Sequence, residues 1–279
     1  MGAEEAHKKR GRWRAPVFVV AAIAGVAALA ISGFGPSAPA PAQADTAAQE
    51  RWRSALDSRD TVVLAAEARV VGNPDEAASD GATALMIAAQ SGDADLVGIL
   101  LDRGADPNAR NANGGTPLMH GAMAGDPDIV QALVAAGSEL DASAKLGWTA
   151  LLLAAAKGHA DAVAVLLHSG ATPNQADTYG WTPLMRAVSG NHAAAVDVLL
   201  ANSGADLDAR EETGATALHV AAQYGYADMA ARLLEAGADP MAANHEGLTA
   251  TDFARMSEHP DVVQLLARKR PSGRAESGG

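Results

Sequence analysis

The side chains of this sequence that could do chemistry stand apart from one another. His120, His159, His168, His192, His219, His245 and His259 never pair at helix-face spacing with a carboxylate ligand beside them, so no zinc set is assembled, and no glycine-rich phosphate loop occurs. Cysteine is absent, which removes disulfides, thiolate metal sites and a thiol nucleophile together. Asp106, Asp177, Asp206 and Asp239 fall in polar loops without the order of an EF-hand, where aspartate is a turn former rather than a calcium ligand. The expectation is a chain with no catalytic residues, no metal and no cofactor.

What remains is recognition chemistry. The chain has only 4 tryptophans, and two of them, Trp148 and Trp181, each directly follow a turn glycine, with Tyr179 on the same loop as Trp181. Aromatic side chains on polar loops gain little from folding and are common hot spots of binding; the alternative is that the two tryptophans stack on each other and stiffen the loops. A second series, four residues after a recurring threonine, reads Ile87, His120, Leu153, Arg186, Val220 and Phe253. Its polar members, His120 and Arg186, imply that this position faces an open groove. Lys157 and Tyr224, eight residues after their threonines, extend the same surface. Trp148, Trp181, Tyr179, His120, Arg186, Lys157 and Tyr224 are therefore the expected partner-binding residues, an aromatic and locally basic strip.

The elements that must carry this strip are repeats. The threonines are Thr83, Thr116, Thr149, Thr182, Thr216 and Thr249, at steps of 33, 33, 33, 34 and 33 residues. Glycines Gly104, Gly137, Gly170, Gly204 and Gly237 keep the same beat, so the extra residue lies near Asn202 or Ser203, at a helix end. Each unit opens with a threonine suited to cap a helix, and Pro117 and Pro183 occupy the first turn, where a missing N–H costs nothing. A short Ala-rich helix follows, broken at Gly92, Gly125, Gly158 and Gly225, with Asn191 in that place in the fourth unit. A second helix then offers pairs such as Val163 with Leu166. The composition agrees: 48% of residues are apolar but only 4% aromatic, so Ala and Leu must fill the interior. One unit cannot bury its own apolar faces, so stacking has to supply the stability.

Period and motif together resemble the ankyrin repeat family. Thr116-Pro117-Leu118 and Thr182-Pro183-Leu184 match its opening, Ala217-Leu218-His219-Val220-Ala221-Ala222 carries its histidine, and Gly104-Ala105-Asp106-Pro107-Asn108 its loop. The resemblance implies an all-α solenoid of helix-turn-helix units with projecting β-hairpin loops, which binds proteins through its concave groove and finger loops. It covers the chain from a degenerate first unit to Arg270. The expected organisation is an N-terminal address at 1–44, a linker and capping repeat at 45–79 with Trp52 packed beneath it, five regular repeats at 80–246, a C-terminal cap at 247–270 and a disordered tail at 271–279. Met86, Met119, Leu152 and Met185 occupy the place of His219, leaving the family's threonine–histidine bond to the fifth unit.

The address is read from composition. Lys8, Lys9, Arg10, Arg12 and Arg14 precede an uncharged stretch from Ala15 to Phe34, a Gly35-Pro36 break and an Ala42-Gln43-Ala44 cleavage pattern. The expectation is a secretory signal cleaved after Ala44, giving a periplasmic or secreted protein; the rival is a retained inner-membrane anchor that puts the repeats on the same side. The formal charge of −12 repels phosphate backbones, so nucleic acid is excluded as a partner. The expected function is a monomeric, non-enzymatic scaffold that binds and stabilises or regulates a partner protein. Its rivals are a ligand-binding protein or enzyme with a site in the groove, and an exported effector.

Overall fold

The computed structural model describes residues 41–202 and 204–269. Most of the expected address and the expected tail lie outside the described residues; the last residues of the address, through Ala44, open the first helix. Helices come in antiparallel pairs. An N-terminal pair, α1 (Pro41–Ser58) and α2 (Thr61–Glu67), precedes α3 (Ala84–Ser91) and α4 (Ala94–Asp102), α5 (Pro117–Ala124) and α6 (Pro127–Ala135), α7 (Ala150–Lys157) and α8 (Ala160–His168), α9 (Pro183–Ser189) and α10 (Ala193–Ala201), α11 (Ala217–Gln223) and α12 (Ala227–Ala236), and α13 (Ala250–Met256) and α14 (Pro260–Lys269). The pairs from α3/α4 to α11/α12 are called units one to five. First helices pack on first helices from α3 through α13, and second helices on second helices from α4 through α14. The result is a two-layered stack.

Each first helix starts where the threonine predicts. The Oγ of Thr83, Thr116, Thr149 and Thr182 accepts from the amide three residues on, at 3.2–3.4 Å. In unit five the bond is reinforced: His219 Nδ1 lies 2.9 Å from Thr216 Oγ1 and accepts from Thr216 N at 3.2 Å, while Nε2 faces Leu248 O at 3.1 Å. The last pair repeats the device with a carboxylate. Asp252 accepts from Thr249 N and Oγ1, so a carboxylate fills the place of His219 as a second acceptor. The helix breaks are left-handed as expected, including Asn191 at φ 56° and Glu258 at φ 60°. At Gly158 the space is also taken, since an added Cβ would meet the His192 ring at 2.5 Å.

One continuous apolar core runs through the stack from Trp52 to Leu266. Each fully buried large aliphatic in it, such as Leu96, Leu133, Leu166, Leu199 and Leu233, contributes roughly 1.5–3 kcal/mol. Trp52 is fully buried among Ala55, Leu56 and Leu64, a packing residue of the cap. The expected hairpin loops are tight turns closed by two backbone bonds, for example Gly114 N to Asn111 O at 2.8 Å with Asn111 N to Gly115 O at 3.0 Å, and Gly180 N to Asp177 O at 3.0 Å with Asp177 N to Trp181 O at 3.1 Å. Strand character among the described residues reduces to isolated bridges, Ala77 with Thr83 and Ala243 with Thr249.

Two ladders run across the units. A side-chain oxygen of Asp75, Asn108, Asp141, Asn174 and Asp208 accepts the backbone N–H of Asp106, Glu139, Thr172, Asp206 and Asp239 in the next loop, at 2.7–3.3 Å. Meanwhile His159, His192 and His259 reach back to Met123 O, Ala156 O and Gln223 O at 3.0–3.1 Å. These histidines are therefore structural. A hollow of ≈ 600 Å³ beside Ala254, His259 and Val263 lies on α13 and α14, at the end of the described stack.

Candidate functional site

The turn that leads each unit carries the candidate residues. In most of them a side chain clamps the turn: Asn111, Asp177, Glu211 and Asn244 each accept two backbone N–H groups of their own loop, at 2.9–3.0 Å. In unit one that position is Ala78, and Asp80 Oδ1 takes the Ala82 N–H at 3.1 Å instead; in unit three it is Ala144, which offers no acceptor. Here the chain makes a 3₁₀ turn, Lys145–Gly147, and Leu146 adopts the left-handed region at φ 61°, ψ 19°. Gly147 follows at φ 76°, so close to the neighbouring loop that a Cβ would meet Asp177 Cα at 3.0 Å.

Trp148 and Trp181 do not stack on each other. The Arg186 guanidinium lies between them, its carbon 4.7 Å from each ring centroid, an arrangement worth roughly 0.5–2 kcal/mol per contact. Asp177 fixes the arginine from below through an ion pair, with its side chain wholly buried and that of Arg186 22% exposed. Arg186 is thus paired, and its contribution to a basic strip is cancelled. The stack joins unit three, which supplies Trp148, to unit four, which supplies the other three members. Trp181 also packs against the core.

On its other side Trp148 lines a hollow of ≈ 310 Å³ with His120, Met119, Met123, Lys145 and Leu153. Asn111 Oδ1 is held by backbone donors, so its Nδ2 faces His120 Nε2 at 3.2 Å and that nitrogen must accept. The neutral ring therefore carries its proton on Nδ1, which is buried without a partner. Burial, reinforced by the positive Arg59, holds the His120 pKa below the ordinary histidine value.

The structure thus gathers His120, Arg186 and, across the guanidinium, Trp181 around Trp148. Tyr179 stands on the turn beside Trp181 and is 49% exposed. Lys157 and Tyr224 are exposed at the far ends of α7 and α11, a helix length of about 12 Å from the turns. Tyr224 stacks on Tyr226 with centroids 5.6 Å apart. Three residues that matter here were not singled out from sequence as binding residues: Asp177, Lys145 and Leu146. The only signal for Leu146 was an apolar residue directly before a turn glycine, where Asp80, Asn113, Thr213 and Glu246 stand in other units. Among the described residues no group of three or more His, Asp or Glu is placed to hold a metal ion, and no helix is long and apolar enough to cross a membrane.

A stack of helix pairs with turn fingers on one edge and an aromatic–cation cluster at its centre defines an α-helical repeat solenoid. The chain belongs to the ankyrin repeat family: a family model described as ankyrin repeats in three copies matches residues 57–144 and 118–211, and one described as ankyrin repeats in many copies matches 204–254. Ankyrin repeats are in general protein–protein interaction modules, and proteins built of them are generally non-enzymatic scaffolds. No curated protein matched the chain.

Proposed function

We propose that this chain is a non-catalytic scaffold that holds one partner protein against its concave groove and finger turns, and so stabilises or regulates it. The observation that carries this reading is the Trp148–Arg186–Trp181 stack, buttressed by buried Asp177 and bordered by exposed Tyr179. Aromatic groups held rigid lose little entropy on binding, which is the property of a hot spot. Lys157 and Tyr224 extend the contact along the groove. An acidic surface, with a formal charge of −12, favours protein over nucleic acid.

The test is a capture experiment with the purified full chain as bait in extract of the native compartment, comparing it with Trp148→Ala, Lys157→Glu and Tyr224→Ala variants of unchanged helical content. Loss of one specific partner in the variants is the expected result. Retention of every captured protein by all three variants overturns the proposal.

The same proposal places the repeats on the far side of a membrane, exported by the N-terminal segment and released by cleavage after Ala44. That cut would remove only the first turn of α1, well short of buried Trp52, Ala55 and Leu56, so the cap would survive maturation. Mass determination of the protein from the exported fraction should give a mature N-terminus at Asp45. A full-length chain that stays with membranes through an alkaline wash would establish the anchor instead. The mature scaffold is expected to elute as a monomer on size exclusion.

A further inference from the structure

We infer that the tips of the unit-three and unit-four fingers form a docking platform for a short, acidic, extended segment of a partner protein carrying an apolar anchor side chain. This deepens the reading above and rests on it. The residue before the turn glycine is Asp80, Asn113, Leu146, Tyr179, Thr213 and Glu246 along the stack, so an apolar pair sits at the centre of a polar row. Leu146 is 54% exposed and Tyr179 49%. The two tips are bonded directly, Thr178 N donating to Leu146 O at 3.0 Å.

Folding gives no reason for Leu146. A left-handed φ of 61° costs about 1–2 kcal/mol for a side chain with a Cβ, and a leucine this exposed recovers little of it by burial. Strain kept at an exposed apolar tip, on a finger that lacks the usual clamp, is the pattern of a ligand contact. Beneath it the tryptophan–arginine stack supplies a rigid floor.

Charge selects the occupant. The Lys145 ammonium, next to Leu146, meets the neutral Asn113 Oδ1 at 3.0 Å, whereas the ion pairs found among the described residues are all made by arginines. Lys157, exposed at the far end of α7, lies a helix length of about 12 Å from the tips and is not part of the platform. The two tips are therefore apolar with one unneutralised cation, on a molecule of net charge −12 whose next finger carries exposed Glu212, its N–H bonded to Tyr179 O at 3.0 Å, and whose outer tips end in Asp80 and Glu246. Those flanking carboxylates repel an acidic segment that runs past the centre. Two units at roughly 10 Å spacing give a footprint of about 20 Å, which an extended chain covers in about six residues.

The experiment is selection of a random heptapeptide display library on the full chain, followed by fluorescence anisotropy with the enriched peptides. The expected peptides combine Asp or Glu with Leu, Phe, Tyr or Trp. Leu146→Gly with Tyr179→Ser should weaken them at least tenfold without lowering thermal stability, since glycine relieves the left-handed position, and Lys145→Glu should do so in a salt-dependent way. Enrichment of basic or uncharged peptides, no enrichment over an unrelated acidic protein, or unchanged affinity in the tip variants overturns the inference. Peptides lost on Tyr224→Ala or Lys157→Glu but indifferent to both tip changes would sink it while leaving the protein-binding scaffold standing.

Discussion

Asp177 divides its two oxygens between the chain and a cation. One accepts from Tyr179 N and Trp181 N, and the other pairs with Arg186. Replacing it with alanine leaves a partly buried guanidinium without its anion and two backbone donors without their acceptor, a loss of about 3 kcal/mol by the usual cost of breaking a buried pair. Asn fills the same place at Asn111 and Asn244 and keeps the backbone bonds, so Asp177→Asn should cost only about 1 kcal/mol. Urea denaturation of the two variants tests this, and equal midpoints would mean that the ion pair, not the turn, does the holding. Two histidines set a pH dependence of definite sign. Burial lowers the pKa of His219 and of His120, and each ring accepts from a fixed donor at the nitrogen a proton would need. The unfolded chain therefore binds protons more readily, and their contribution is complete above the unfolded value of about 6.5 and lost as pH falls below it. Other units carry Met or Leu at these places, as in Met185 and Leu153. The variant His219→Met with His120→Leu should therefore fold, and its melting temperature between pH 7 and 5.5 should be flatter than that of the parent. An equally steep decline in both proteins would assign the effect to other groups.

At the scale of the element, the unit-three finger is the exception that the others explain. Asn or Asp at Ala144 would accept from the N–H groups of residues 146 and 148, as Asn111 does from those of Asn113 and Gly115. Ala144→Asn should therefore raise stability by about 1 kcal/mol and draw Leu146 out of the left-handed region. Denaturant melts give the first number and backbone chemical shifts the second. If the proposed platform depends on how Leu146 is displayed, the same variant should bind the selected peptides less well, a trade of function for stability. No change in the turn would show that its shape comes from Gly147 packing on Asp177 rather than from the missing clamp. The helices themselves were legible in the sequence because their signals are local: threonine caps, proline in the first turn, a break every unit. Asx residues of the inter-unit ladder were visible as Asp75, Asn108, Asp141, Asn174 and Asp208, yet their partners are amides of a neighbouring unit, which no local pattern reveals. Arg186 stood out as polar in an apolar series. Its pairing with Asp177 depends on a reversal of the chain at the finger, so a periodic reading took a neutralised cation for a free one.

At the scale of the molecule the stack is a one-dimensional chain of interfaces, and it is as strong as its weakest seam. Several features converge between units four and five. α10 ends on Asn202 in an extended conformation, φ −79° and ψ 119°, where second helices elsewhere run into a left-handed glycine at Gly104, Gly137, Gly170 and Gly237. Ala205 N bonds to Asn202 O, whereas Ala105, Ser138, Ala171 and Ala238 reach back to a leucine carbonyl five residues away. The histidine ladder skips this seam, because Tyr226 occupies the place of His192 and stacks on Tyr224 instead. Among the first helices from α3 to α13 the packing of α9 on α11 is the sparsest, and among the second helices from α4 to α14 that of α10 on α12. By contrast, the seam between units three and four carries the tryptophan–arginine stack and His192. Local openings follow such differences in contact density and hydrogen bonding. Apart from fraying of α1 and α14, hydrogen exchange should show α11 to α13 opening together and before α5 to α9, and limited proteolysis should nick the 202–208 loop ahead of its counterparts at 103–109, 136–142 and 169–175. Uniform protection across the units, or first cleavage in another loop, would mean that the extra residue is absorbed without weakening the stack. The proposed binding face lies on the N-terminal side of this seam apart from Tyr224, so a fragment ending before α11 that kept its fold should still capture the acidic peptide, and failure to do so would place part of the platform across the seam.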